Sequence, residues 1–326
     1  MADLDAHENA STLASPLTLE SAYSEEPPSY YYEKDIDSER LKQTDAYEIL
    51  IKHSGIPEQD VLKHVKEQRD KAWKIWPYPC IGKWQFLDCG ISSSVAYSEV
   101  LERVKNGQMY LEAGCAFGQD LRKLNKVSDG APPANLIATD LSDDFWQVGF
   151  SLFKDESRLG VRFIAADVTA ASSPLTAPPP AGIAGSVDII HASYYFHLFT
   201  RAEQLEVGQR LVGVLRPVPG VLLVGRHVGN RFPDEYVKKS PHKDGKSGKT
   251  AFRHNEETWR ALWDEIGQRT GSKWEVEYKD FDLEPKWVPF EAKGCIVQFW
   301  VVRRVSKESS LAAFLDYEGD NDLILA

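Results

Sequence analysis

From Gln108 onward the chain alternates short apolar runs with amphipathic stretches. The runs are Met109–Glu112, Leu136–Thr139, Val161–Ala166, Val187–Ala192, Val221–Val228, Trp274–Asp282 and Ile296–Arg303. The first five alternate with helical patterns, which predicts βαβ units and a parallel sheet. The last two have no long helical pattern between them, so they are expected to form an antiparallel pair at one edge. Upstream, helical spacing covers Arg40–His53 (Leu41, Tyr47, Leu50, Ile51) and Glu58–Ile75 (Val61, Leu62, Val65, Trp73), with Gly55 and Pro57 between them. A further helix is expected over Ser94–Val104. The aromatic, proline-punctuated stretch from Trp76 to Phe86 reads as irregular packing or a lid. Thr169–Ser186, with Pro178, Pro179 and Pro180, reads as a surface insertion. The fold class is therefore α/β. The expected organisation is a tail over residues 1–29, a helical cap over 30–106, a sheet domain over 107–305 and a second tail over 306–326. No internal repeat is visible.

Charge sharpens this picture more than length does. The 326 residues carry a net charge of −11. Residues 1–29 hold six acids and no Lys or Arg, and residues 306–326 hold five acids against Lys307 alone. The body between them is close to neutral. Its composition and lack of apolar periodicity mark residues 1–29 as a disordered acidic tail. The absence of a basic excess argues against nucleic acid as a partner. No apolar run reaches the ~18 residues that span a bilayer. The acidic N-terminus has no signal-like pattern, and Cys80, Cys89, Cys115 and Cys295 form no CxxC pair. These features predict a cytoplasmic protein with reduced thiols, no metal site and no membrane contact.

The strongest chemical signal is Met109-Tyr110-Leu111-Glu112-Ala113-Gly114-Cys115-Ala116-Phe117-Gly118-Gln119-Asp120-Leu121. An apolar strand ends in an acid, and a turn of small residues then opens a helix. Small residues admit a ligand close to the backbone, and the helix N-terminus offers unpaired N–H groups. Asp140 ends the second apolar run, where a carboxylate can accept hydrogen bonds from ribose hydroxyls. Asp167 ends the third, beside Val168. A dinucleotide enzyme would call for G-x-G-x-x-G, whereas here Gly114, Ala116 and Gly118 alternate.

That arrangement resembles the E/D-x-G-x-G-x-G motif of class I S-adenosylmethionine-dependent methyltransferases, with Ala116 at the middle glycine. Gly185–Phe199, Leu215–Gly229, Phe252-Arg253-His254-Asn255, Trp274–Tyr278 and Tyr78-Pro79-Cys80-Ile81-Gly82 are similar to fungal methyltransferases of meroterpenoid and related secondary-metabolite clusters. The resemblance covers roughly residues 30–303. It implies a Rossmann-like seven-stranded sheet, S-adenosylmethionine as cofactor, and an apolar, oxygenated acceptor such as the carboxylate of a farnesylated polyketide. By position, it assigns Glu112, Ala113, Gly114 and Gly118 to the methionine and ribose part, Asp140 and Leu141 to the ribose, and Asp167 and Val168 to the adenine. A homodimer through the helical N-terminal segment is expected by the same analogy.

Methyl transfer from a sulfonium is an in-line displacement dominated by positioning. A carboxylic acid with pKa near 4 is already ionised at neutral pH, whereas a phenol benefits from a base. His191, at the end of the fourth run, is a candidate base or acceptor-orienting donor, or else a satisfied core histidine. His197 lies in the aromatic segment Tyr194-Tyr195-Phe196, where lining a pocket and packing a helix are both open. Arg226 and His227, near the end of the fifth run, are candidates to pair with an acceptor carboxylate. Arg231–Arg253 reads as a loop of net charge +4, either steering an anionic acceptor or simply solvated. Trp73, Trp76, Tyr78 and Trp84 either roof an apolar pocket or form core between cap and sheet. Two further readings share the fold: a cyclase or pericyclase-like enzyme using bound cofactor without net transfer, and a non-catalytic protein.

Overall fold

A computed structural model describes residues 31–127, 130–237, 250–283 and 293–306. The acidic tails, apart from Ser306, lie outside the described residues. In chain order the elements are α1 (Ser38–Lys42), α2 (Asp45–Glu48), α3 (Glu58–Ile75), α4 (Pro79–Gly82), α5 (Tyr97–Lys105), β1 (Tyr110–Ala113), α6 (Gln119–Arg122), β2 (Leu136–Asp140), α7 (Asp144–Phe153), β3 (Arg162–Ala165), β4 (Ile189–His191), α8 (Arg201–Val214), β5 (Leu222–Asn230), β6 (Asp234–Val237), β7 (Thr250–Arg253), α9 (Glu256–Thr270), β8 (Lys273–Asp282) and β9 (Cys295–Val305).

All seven apolar runs are strands of one sheet, in the order β3-β2-β1-β4-β5-β9-β8. Strands β1 to β5 are parallel, and β9 pairs antiparallel with both β5 and β8. The strand order reverses between β1 and β4, which opens a crevice at their carboxyl ends. The two longest helices on one face begin with reciprocal caps. Thr200 and Glu203 close one at the start of α8, and Asn255 and Thr258 close another at α9.

The expected single helix over Arg40–His53 is broken. Asp37 caps α1 by accepting the Arg40 N–H, the chain restarts at Asp45, and Ile49–His53 widens into a π-type turn. The Thr44 hydroxyl donates to the Leu41 carbonyl at 2.8 Å, so it competes with continuation of the helix. The helix expected over Ser94–Val104 runs instead from Tyr97 to Lys105. The ends of the expected loop Arg231–Arg253 pair as strands β6 and β7, with Asp234 opposite Arg253. Its lysines, Lys238 to Lys249, lie outside the described residues. The Thr169–Ser186 insertion is anchored rather than purely superficial, because Leu175 and Ile183 are buried in the core.

The cap packs on α7. Leu50, Val61, Val65, Ala72, Ile81, Trp84 and Leu87 share one cluster with Phe117, Phe145, Leu152 and Phe153. His64 Nε2 hydrogen-bonds the Leu152 carbonyl at 2.8 Å. Of the cap aromatics, Trp73 and Trp76 are partly buried against this cluster and Tyr78 is exposed. Trp84 is fully buried, the Arg69 guanidinium lies 4.0 Å from both the Tyr32 and the Trp84 ring, and Tyr78 rests on Phe145. Among the described residues no helix is long and apolar enough to cross a membrane.

Candidate active site

Strand β1 delivers Glu112 to the crevice, and the chain then turns through three left-handed residues: Gly114 (φ 72°), Ala116 (φ 45°) and Gly118 (φ 66°). The turn is held from β2. Thr139 O accepts from the Gly114 and Cys115 N–H groups at 2.9 and 3.1 Å, and Asp140 Oδ2 accepts from the Ala116 N–H at 2.8 Å. Asp140 Oδ1 accepts from the Leu141 N–H, also at 2.8 Å. Burial raises the Asp140 pKa, opposed by these two N–H donors. The alanine at the middle position keeps the left-handed turn a glycine would adopt, at a cost of about 1–2 kcal/mol.

Two glycines are packed against aromatic rings. A Cβ at Gly114 would lie 2.7 Å from the Tyr195 ring, and one at Gly118 would lie 2.4 Å from the Trp146 ring. Asp167 sits at the rim after β3. Its Oδ1 accepts from the Thr169 N–H and hydroxyl at 2.7 and 2.6 Å, which holds its carboxyl below the usual range. Val168, expected at the adenine, has its side chain in the core, and its carbonyl accepts from Arg210. Leu141 stands exposed at the crevice edge.

Beneath the turn, Glu112, Asp120 and His191 come together. One oxygen or nitrogen of each lies within 4.8 Å of the others, and all three residues are buried. Burial and the neighbouring Asp120 push Glu112 well above the carboxylate range. Burial also raises Asp120, partly offset by the Ile91 N–H donating to its Oδ1 at 2.7 Å. A carboxyl pair so placed shares a proton, because two buried like charges cannot both persist. Glu112 Oε2, Gln119 Oε1 and His191 Nδ1 are buried without a hydrogen-bond partner. Glu112 Oε2 and Gln119 Oε1 therefore hold unused acceptor capacity close to the glycine turn. Sequence reasoning assigned no role to Asp120 or Gln119, although both stand in the quoted motif.

His191 Nε2 hydrogen-bonds Ser193 Oγ at 2.7 Å. Burial, with Arg226 nearby, lowers its pKa to about 3, so it is a neutral imidazole and a weak base at neutral pH. Arg226 lies on the same face of the sheet, two residues beyond the His191–Val224 register pair. It is half-buried, donates to Ser93 Oγ at 3.4 Å, and stacks near Tyr194 and Phe299 at 5.2 and 5.9 Å. Its Nε is buried without a partner, and no carboxylate of the described residues lies within ion-pair distance of it.

His227 leaves the catalytic set. It points to the opposite face, where its Nε2 donates to Gln298 Oε1 at 2.8 Å and its Nδ1 accepts from Trp300 Nε1 at 3.1 Å. With both nitrogens engaged and its pKa lowered by burial to about 4, it is a core histidine. His197 packs edge-on against Tyr194.

Beside Ser93 and Phe299 a cleft of about 420 Å³ runs between the Ser93–Val95 segment and the β8–β9 ribbon, with Phe281 on its wall. The positions of Ser93 and of the ribbon could not be read from sequence, since both are brought to Arg226 by tertiary packing.

Comparison with known proteins matches residues 31–87 to the N-terminal domain of meroterpenoid methyltransferases. The chain is 40% identical to the asnovolin E/chermesin D methyltransferase of Aspergillus novofumigatus over 72% of its length and 80% of that protein. It is 38% identical to the methyltransferase adrK of Penicillium roqueforti over 74% of its length and 84% of that protein. It is 34% identical to the O-methyltransferase phiE of a fungal species over 72% of its length and 74% of that protein. The glycine turn, the sheet order and these similarities lead to one conclusion: the chain belongs to the family of fungal methyltransferases that these proteins represent.

Proposed function

We propose that the protein methylates the carboxylate of a small apolar natural product, such as a farnesylated polyketide acid, with S-adenosylmethionine as donor. When bound, this cofactor supplies an electrophilic methyl group on a positively charged sulfur. The residues present fit it. The orphaned acceptors Glu112 Oε2 and Gln119 Oε1 suit its ammonium group. Gly114 and Gly118 let the turn take its left-handed bends directly beneath the Tyr195 and Trp146 rings, and Asp140 stands where ribose hydroxyls can donate to it.

One observation carries the choice of acceptor: Arg226 is half-buried, has no carboxylate within ion-pair distance among the described residues, although its charge reaches the buried Asp120 carboxyl, and stands beside a histidine too weak to hold a proton. Such a site suits a nucleophile that arrives already ionised. Arg226 then orients the acceptor carboxylate through its guanidinium, and the neutral His191 need not take up a proton. The cleft lined by Val95, Phe281 and Phe299 offers apolar surface for the body of the acceptor.

The test is incubation of the purified protein with S-adenosylmethionine and candidate apolar acids. Consumption of cofactor with a gain of one methyl per product molecule supports the proposal. Product formed without cofactor consumption points instead to a cyclase-like reaction. Methylation of phenols but not acids refutes the carboxylate assignment.

A further inference from the structure

Arg122 and Asp155 form an ion pair whose side chains are both 0% exposed. Arg122 Nε and Nη2 donate to the two Asp155 oxygens at 2.7 and 2.8 Å, a bidentate pair. The remaining nitrogen, Nη1, donates to the carbonyls of Phe117 and Gly118, the second at 3.2 Å. These carbonyls belong to the end of the glycine turn. The guanidinium also lies 4.5 Å from the Phe153 ring and 5.4 Å from the Trp146 ring, the ring that covers Gly118. Asp155 follows α7, so the pair ties the turn to the helix on which the cap rests.

A buried ion pair is weak as a source of stability, because removing both charges from water offsets most of their attraction. Its geometry here is specific in another respect. A lysine offers a single point of charge and cannot hold a carboxylate and two carbonyls in one plane. We propose that Arg122 and Asp155 are a positioning pair, which fixes the Phe117–Gly118 peptide so that the turn presents the shape the cofactor requires. This rests on the cofactor reading above.

The experiment compares wild type with Arg122→Lys and with the paired replacement Arg122→Met, Asp155→Leu. The paired replacement removes both charges together and leaves neither buried alone. Two readouts are taken: amide hydrogen exchange of the 113–121 segment in ligand-free protein, and calorimetric titration with S-adenosylmethionine and S-adenosylhomocysteine. The expected result is a paired variant that melts within a few degrees of wild type, exchanges this segment at least tenfold faster, and binds both ligands at least tenfold more weakly. Arg122→Lys, which keeps the charge, is expected to show the same loss of affinity. Wild-type exchange and wild-type affinity in the paired variant would overturn the proposal. If wild type itself binds neither ligand, the cofactor reading fails, and the exchange arm still decides whether the pair holds the turn.

Discussion

Asp140 gives the sharpest quantitative handle on the site. Truncation to alanine removes the acceptors for two backbone donors, the N–H groups of Ala116 and Leu141, each now at 2.8 Å. Leu141 is exposed and its N–H will find water, so the cost concentrates on Ala116. Losing a hydrogen bond to a charged acceptor costs about 1.5–3 kcal/mol. Ala116 is also held in a left-handed conformation that disfavours any residue with a Cβ, so the turn gains a reason to relax. Asp140→Ala should therefore melt a few degrees lower, by roughly 2–4 °C for each kcal/mol lost. Cofactor binding should suffer separately. Each ribose hydroxyl bond to the carboxylate is worth about 1.5–3 kcal/mol, or about 10- to 150-fold in Kd. Asp140→Asn keeps one acceptor oxygen and should fall between wild type and alanine in both measurements. The assays are thermal melting followed by calorimetric titration with S-adenosylmethionine below the melting range. A lowered melting temperature with wild-type affinity would make Asp140 a purely structural support of the turn and refute its assignment to the ribose.

Three further outcomes follow from the same geometry. Gly118→Ala meets Trp146 at 2.4 Å in a left-handed position, so it should destabilise by about 2–4 kcal/mol, whereas Gly107→Ala, facing open space at φ 95°, should cost only the conformational part of about 1–2 kcal/mol; denaturant melts compare the two. Arg226→Gln should raise KM for an acid acceptor about tenfold or more while leaving the cofactor Kd unchanged, which steady-state kinetics and titration separate. His227 has a folded pKa of about 4 against an ordinary 6.5. The unfolded chain therefore binds more protons below pH 6.5, and the stability His227 confers is complete above that value and is lost as pH falls toward 4. Relative to His227→Gln, wild type should lose about 2 kcal/mol between pH 7.5 and pH 5; parallel denaturant curves at the two pH values would contradict this.

The seven strands were legible because each is a short apolar run bounded by turn residues, and the glycine turn because its chemistry is local. Period-two alternation separates two of the candidate residues. Arg226 and His227 are neighbours on one strand and must face opposite sides of the sheet, so only one of them could reach the crevice. The hairpin of β6 and β7 was hidden by a charge run, which masks the short β-prone segments Tyr236-Val237 and Ala251-Phe252. The break in the first cap helix depends on how the Thr44 hydroxyl is spent, which spacing does not report. Arg122 and Asp155 are 33 positions apart and meet only because α7 packs across the turn. Pairings of that kind are products of tertiary structure. The same is true of the Asp120 carboxyl beneath Glu112.

The central claim is that an ionised carboxylate receives the methyl group. The direct measurement is transfer of radiolabelled methyl from S-adenosylmethionine to an apolar carboxylic acid, followed by mild base treatment of the isolated product. The expected result is label released as methanol, the mark of a methyl ester. Label that survives base as an ether or a carbon-bound methyl, or product that carries no label, would contradict it.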